Sequence, residues 1–231
     1  MTSRIDLTGY QDKHVVEYYS ELLKFLSIPV VDKNLYLNVS EESRQKAQDL
    51  LAASGIEEND LVIGIAPGAG GSWGKDAVYK HWPTLKFAQA SDRLAAEFKA
   101  KIVILGDESE HKIAEVMTHV MRNKPIDLTG MTGLEILPAV IKNCNMLITN
   151  DGGPMHLAVA LGVKTVSIFG PVSELVYGPF PPSSQHVVLK WDIACRPCYN
   201  NFRLPSCDKD RECLKSVSVD AVFESASRLL S

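Results

Sequence analysis

Two periods run through the apolar positions of this chain, and together they lay out a repeating order of helix and strand. Val15, Val16, Tyr19, Leu22, Leu23 and Leu26 recur at helical spacing and predict a helix over about 14–27. Ser40 followed by Glu41 and Glu42 marks a second helix start, with acids near the positive end of the dipole. Ala47, Leu50 and Leu51 form one apolar face of that helix, and Gly55 ends it. Short apolar runs predict strands at 61–66, 101–105, 126–128, 146–149, 165–169 and 186–189. Amphipathic stretches at 82–98, 110–122, 134–142, 154–161 and 219–230 predict helices among and after them.

Strands alternating with helices imply an α/β fold built on a doubly wound, mostly parallel, Rossmann-like sheet. Such sheets bind ligands beyond the carboxyl ends of their strands. Chemistry is therefore expected in the loops at 67–75, 106–110, 129–133, 150–154 and 170–178. The most informative of them runs from an apolar strand through Asp151, Gly152 and Gly153 into an apolar helix opened by Pro154. Glycines let backbone approach a diphosphate closely, and the helix start offers unpaired N–H groups. The same residues also suit an ordinary strand-to-helix corner, with Asp151 as a capping acid and His156 as a packed histidine. Lys80, at a helix entry, can neutralise a phosphate or stand as a solvated surface lysine. Glu110 ends the run Gly106-Asp107-Glu108-Ser109-Glu110. An acid there can hold ribose hydroxyls, or cap the helix together with Asp107. The glycine-rich loop at 67–75 ends in Lys75 but lacks the residue order of a P-loop.

Composition narrows the partners. The chain has 231 residues, 45% hydrophobic and 23% charged, enough for one large or two modest globular domains. A net charge of −4 with no basic stripe argues against nucleic acid as a partner. No apolar run is long enough to span a bilayer, and residues 1–6 show no secretory pattern, so a cytoplasmic location is expected. Five cysteines are too few for a disulfide scaffold. Cys195, Cys198, Cys207 and Cys213, spaced C-x2-C-x8-C-x5-C, could supply four thiolates to a structural zinc, with free thiols or redox pairs as competing readings. Cys144 stands apart and is expected to be buried.

These residues, taken together, resemble glycosyltransferase family 9, the heptosyltransferases of lipopolysaccharide core assembly. The resemblance rests on Asn150-Asp151-Gly152-Gly153-Pro154-Met155-His156-Leu157-Ala158, Phe169-Gly170-Pro171, Lys80-His81-Trp82-Pro83, Leu128-Thr129-Gly130-Met131-Thr132 and the cysteine-rich tail. It implies the C-terminal half of a GT-B fold, with residues 1–58 as connector helices from an N-terminal acceptor domain missing from this chain. Residues 59–231 would be the nucleotide-sugar donor-binding domain. The implied donor is an ADP-sugar, typically ADP-heptose. The implied reaction is inverting transfer to a lipopolysaccharide core or related glycan, with no cofactor required, peripheral to the inner face of the cytoplasmic membrane. By the same resemblance, Lys80 pairs with donor phosphate, Glu110 holds ribose, and Met131 and Thr132 flank adenine. Asp151 orients Lys80 or the sugar, the turn of Gly152, Gly153 and Pro154 places backbone N–H groups on the diphosphate, and His156 supports the turn. The general base is expected in the acceptor domain, leaving this chain to bind donor and transfer weakly. One departure stands out, because the family usually has Ser or Thr where this chain has Gly152. The alternatives are a non-catalytic nucleotide-sugar binding remnant or scaffold, and a related epimerase. A Rossmann oxidoreductase is disfavoured, since no G-x-G-x-x-G follows a strand.

Overall fold

The computed structural model describes residues 9–231 other than Gln11 and Gly70. Residues 1–6 and the Gly70 position of the glycine-rich loop lie outside the described residues. The chain enters through helix α1 (Val15–Leu22), a 3-10 turn at Leu23–Leu26 and α2 (Glu41–Ala53). Ser40 caps α2 by accepting from the Ser43 N–H at 3.1 Å, in line with the sequence reading. Then follow β1 (Val62–Ala66), α3 (Thr84–Phe98), β2 (Lys101–Ile104), α4 (His111–Val120), β3 (Ile126–Asp127), α5 (Leu137–Lys142) and β4 (Met146–Asn150). The remainder is α6 (Gly153–Ala160), β5 (Lys164–Phe169), α7 (Glu174–Tyr177), β6 (His186–Lys190), α8 (Glu212–Lys215) and α9 (Val219–Leu230).

Among the described residues six strands form one sheet in the order β3-β2-β1-β4-β5-β6, with every neighbouring pair parallel. The order reverses between β1 and β4, so the loops leaving those two strands diverge and open a crevice at their carboxyl ends. Helices cover both faces, which is why β1 and β4 are buried at every position. Ile63, Ile65, Ile102, Ile104, Ile148 and Ile168 point to one side, against α3, α4 and α9. Val62, Ala66, Val103, Leu105 and Leu147 point to the other, against α2, α5 and α6. Trp82 and Phe87 anchor the first side, fully buried and edge-to-face at 4.9 Å. Burial of side chains this size contributes about 1.5–3 kcal/mol each.

Three segments went unread in the sequence. Residues 71–80 form a 3-10 stretch broken at Gly74, whose φ of 52° favours glycine. The four-residue helices α7 and α8 are too short to show a period. The apolar side of α1, a helix the sequence did show, is exposed, with Tyr19 at 56% and Leu22 at 48% of full accessibility.

Candidate functional site

The crevice is held open by a residue that sequence reasoning passed over. Asn150, fully buried at the end of β4, donates from Nδ2 to the carbonyls of Pro67 (2.6 Å) and Gly68 (3.0 Å). Its Oδ1 accepts from the Trp82 N–H at 2.9 Å. One side chain thus fixes the exit of β1 and the entry of α3 to the end of β4. These bonds replace ladder hydrogen bonds that the diverging chains can no longer make.

That frame sets Lys80 against Asp151. Lys80 Nζ lies 2.7 Å from Asp151 Oδ2, and the two side chains are only 8% and 6% exposed. The contact is ionic rather than an aligned hydrogen bond, and Oδ2 has no hydrogen-bond partner among the described residues. A surface role for Lys80 and a simple capping role for Asp151 are both at odds with this burial. His156, on the first turns of α6, is partly buried. Burial pushes its imidazole below the ordinary histidine range, while the Asp151 carboxylate pulls the other way.

Beside the pair lies a cleft of about 460 Å³ whose walls include Gly68, Gly106, Glu110, Thr132, Gly153 and Pro154. Four of the residues singled out by sequence therefore meet at one place. Glu110 Oε2 accepts from the Asp107 N–H at 3.1 Å while Asp107 Oδ1 accepts from the Ser109 N–H at 2.8 Å. The capping reading of this acid is thus realised, and it coexists with a place in the cleft. The Glu110 carboxylate fills the space above two strand-end glycines: a Cβ on Gly68 would fall 1.6 Å from Oε1, and one on Gly106 2.6 Å from Oε2. Thr132 is buried in the cleft wall, and its hydroxyl has no hydrogen-bond partner among the described residues. Met131 is 54% exposed and outside the cleft wall. Gly152 leaves room for a side chain: a Cβ there would sit 3.7 Å from the Ala69 carbonyl oxygen, in ordinary contact.

The tail is pinned to the loop after β5. Arg196 donates to the carbonyls of Gly170 (2.6 Å) and Val172 (3.0 Å) and to the Glu174 carboxylate (2.9 Å). The N–H groups of Cys198 and Tyr199 both donate to the Pro171 carbonyl. Gly170 admits no larger residue, since a Cβ would fall 2.8 Å from Cγ of buried Leu214 on α8. Cys195, Cys198, Cys207 and Cys213 all line one cavity of about 300 Å³. Burial, reinforced by Cys195, pushes the Cys198 thiol up to about 12. Among the described residues, no three His, Cys, Asp or Glu side chains converge as a metal site. Cys144 is buried and isolated, as expected.

Comparison with known proteins places this geometry. The chain is 30% identical to lipooligosaccharide heptosyltransferase 2 of Campylobacter jejuni over 97% of its own length, spanning 66% of that protein. It superposes on a glycosyl transferase family 9 structure from Veillonella parvula with a TM-score of 0.79 and 27% identity, over 99% of this chain and 62% of that one. It also shares its fold with the ADP-heptose lipopolysaccharide heptosyltransferase II of Escherichia coli, with a TM-score of 0.65 and 23% identity over 84% of this chain and 53% of the other. The model of glycosyltransferase family 9 (heptosyltransferase) matches residues 3–204, and the chain belongs to that family.

Proposed function

We propose that this chain binds the donor of a heptosyl transfer, an ADP-sugar of the ADP-heptose type. It would present that donor for inverting transfer to a lipopolysaccharide or lipooligosaccharide core. The observation behind this reading is the buried Lys80–Asp151 pair at the point where the strand order reverses, next to the cleft lined by Glu110 and Thr132. The relatives support it by name, one being a lipooligosaccharide heptosyltransferase and one an ADP-heptose lipopolysaccharide heptosyltransferase.

In this reading Glu110 accepts from the ribose hydroxyls, and Thr132 bonds the adenine edge with Met131 beside it. The N–H groups at the start of α6, from Gly152 and Gly153, meet the diphosphate, where Pro154 has none to offer. The acceptor hydroxyl gives its proton to a base on the acceptor-binding domain, its oxygen attacks the anomeric carbon, and the bond from that carbon to the diphosphate oxygen breaks. The electron pair leaves with the nucleoside diphosphate. Lys80 exchanges part of its contact with Asp151 for the departing phosphate and offsets the charge that builds there. Asp151 keeps the ammonium aimed, and His156 packs the turn beneath it.

Residues 1–58 then serve as the connector to an acceptor-binding domain, and 59–231 as the donor domain. The exposed apolar side of α1 supports that division. The lipid-linked acceptor would place the reaction at the cytoplasmic face of the inner membrane. Among the described residues no helix is long and apolar enough to cross it.

A structural zinc on Cys195, Cys198, Cys207 and Cys213 belongs to the same reading. Four thiols suit the ion in kind and rim one cavity, though they would have to draw closer to bind it. No step of the transfer runs through it. Element analysis of the purified chain is expected to find about one zinc per chain at these four thiolates. Metal-free protein of unchanged stability would remove the zinc from the account.

Calorimetric titration with ADP, GDP and UDP tests the donor reading itself. ADP is expected to bind most tightly, and Glu110→Gln to weaken it about tenfold through the loss of charged hydrogen bonds to ribose. A well-folded chain that binds no nucleoside diphosphate would overturn it.

A further inference from the structure

We propose that Trp73 and Tyr199, backed by Tyr177, form the platform on which the sugar ring of the donor rests. The inference builds on the donor reading above and adds the part of the site that recognises the sugar.

It follows from the order of groups along the carboxyl edge of the sheet. Glu110 and Thr132 stand beyond β2 and β3, on one side of the strand reversal. Lys80 and Asp151 stand beyond β1 and β4, at the reversal itself. A donor with its nucleoside on the first group and its diphosphate on the second must carry its sugar onward, toward β5. What waits there is aromatic. The Trp73 ring centroid lies 4.6 Å from Lys80 Nζ and 4.8 Å from the Tyr199 ring. Tyr177, on α7 just after β5, lies 6.0 Å from Tyr199. Met155 and Phe169 support the group from behind.

Sugars pair a polar rim with C–H faces, and flat aromatic surfaces accept such faces while nearby polar groups take the hydroxyls. Trp73, Tyr177 and Tyr199 are all partly exposed, so their faces are not spent in the core. The platform is also held in advance of binding. The Tyr199 N–H donates to the Pro171 carbonyl, and Arg196 locks the same strand of tail to Gly170 and Val172. A ring that only covered Lys80 would need no such anchoring of its neighbour.

Calorimetry on the 231-residue chain with ADP and with ADP-heptose separates sugar from nucleotide. Trp73→Ala and Tyr199→Ala are expected to weaken ADP-heptose about tenfold while leaving ADP within about twofold. Trp73→Phe keeps a ring face and should recover most of the loss. Trp73→Leu, which keeps bulk without the ring, should behave as Trp73→Ala and stands in for it if the alanine variant does not fold. Equal weakening of ADP and ADP-heptose, or no weakening of either, overturns the platform. So does a wild-type chain that binds ADP but gains nothing from the attached sugar. A wild-type chain that binds neither ligand overturns the donor reading and the platform with it.

Discussion

Lys80→Met is expected to weaken ADP binding by about 100-fold and to lower folding stability by about 3–5 kcal/mol. Both effects come from the same geometry. The Asp151 carboxylate is 6% exposed and sits 2.7 Å from the ammonium, so removing the cation strands a buried charge. Removing the cation also deletes the positive group paired with Asp151 just before the α6 start, where the proposed diphosphate would settle. The two effects can be pulled apart. In Lys80→Met/Asp151→Leu both charges are gone and the space is refilled, so most of the stability should return, because a buried pair is worth little over an apolar replacement. Binding should not return. Thermal melts and ADP titrations of the two variants, side by side, give the answer. Recovery of ADP binding in the double variant would show that the pair is structural and that the phosphate contact lies elsewhere.

Asn150→Asp, a change of one heavy atom, should cost about 2–4 kcal/mol and loosen the crevice. The wild-type Nδ2 donates to two carbonyls, at 2.6 and 3.0 Å. A carboxylate oxygen in its place faces those carbonyls with no proton to share, in a position with no exposure. Protonating the acid restores only one of the two donations. Asn150→Asp is therefore expected to melt well below wild type at neutral pH and to regain part of the gap at acid pH. It should also lose affinity for ADP without touching it, because the exits of β1 and β4 are no longer tied. A melting temperature equal to wild type at pH 7 would mean the three bonds are replaceable by solvent.

Different parts of this molecule were legible to different depths. The strands were easy, since burial on both sheet faces leaves apolar runs such as Val62–Ala66 and the first three residues of Met146–Asn150. Helix starts written locally, such as Ser40 with its two acids, were equally plain. Glu110 was ambiguous because both of its meanings hold: it caps its own turn and it lines the cleft. Asn150 was opaque. Its partners lie at positions 67, 68 and 82, and nothing near it in the chain announces them. Trp73 was hidden for a similar reason, inside a glycine-rich loop that was weighed only against the P-loop order. The cysteine spacing suggested a common site, but only the fold could bring all four thiols to one cavity.

The two glycines beneath Glu110 have a consequence for how this site can change. The acid occupies the volume that side chains at positions 68 and 106 would need. The three residues, drawn from the ends of two strands and the turn into a helix, are coupled through that shared volume. A lineage that traded Glu110 for a smaller residue would be free to refill both glycines. Once either was refilled, the acid could return only with its carboxylate swung out of that volume. If this edge of the sheet holds the nucleotide as proposed, its preference would then move more readily in one direction than in the other.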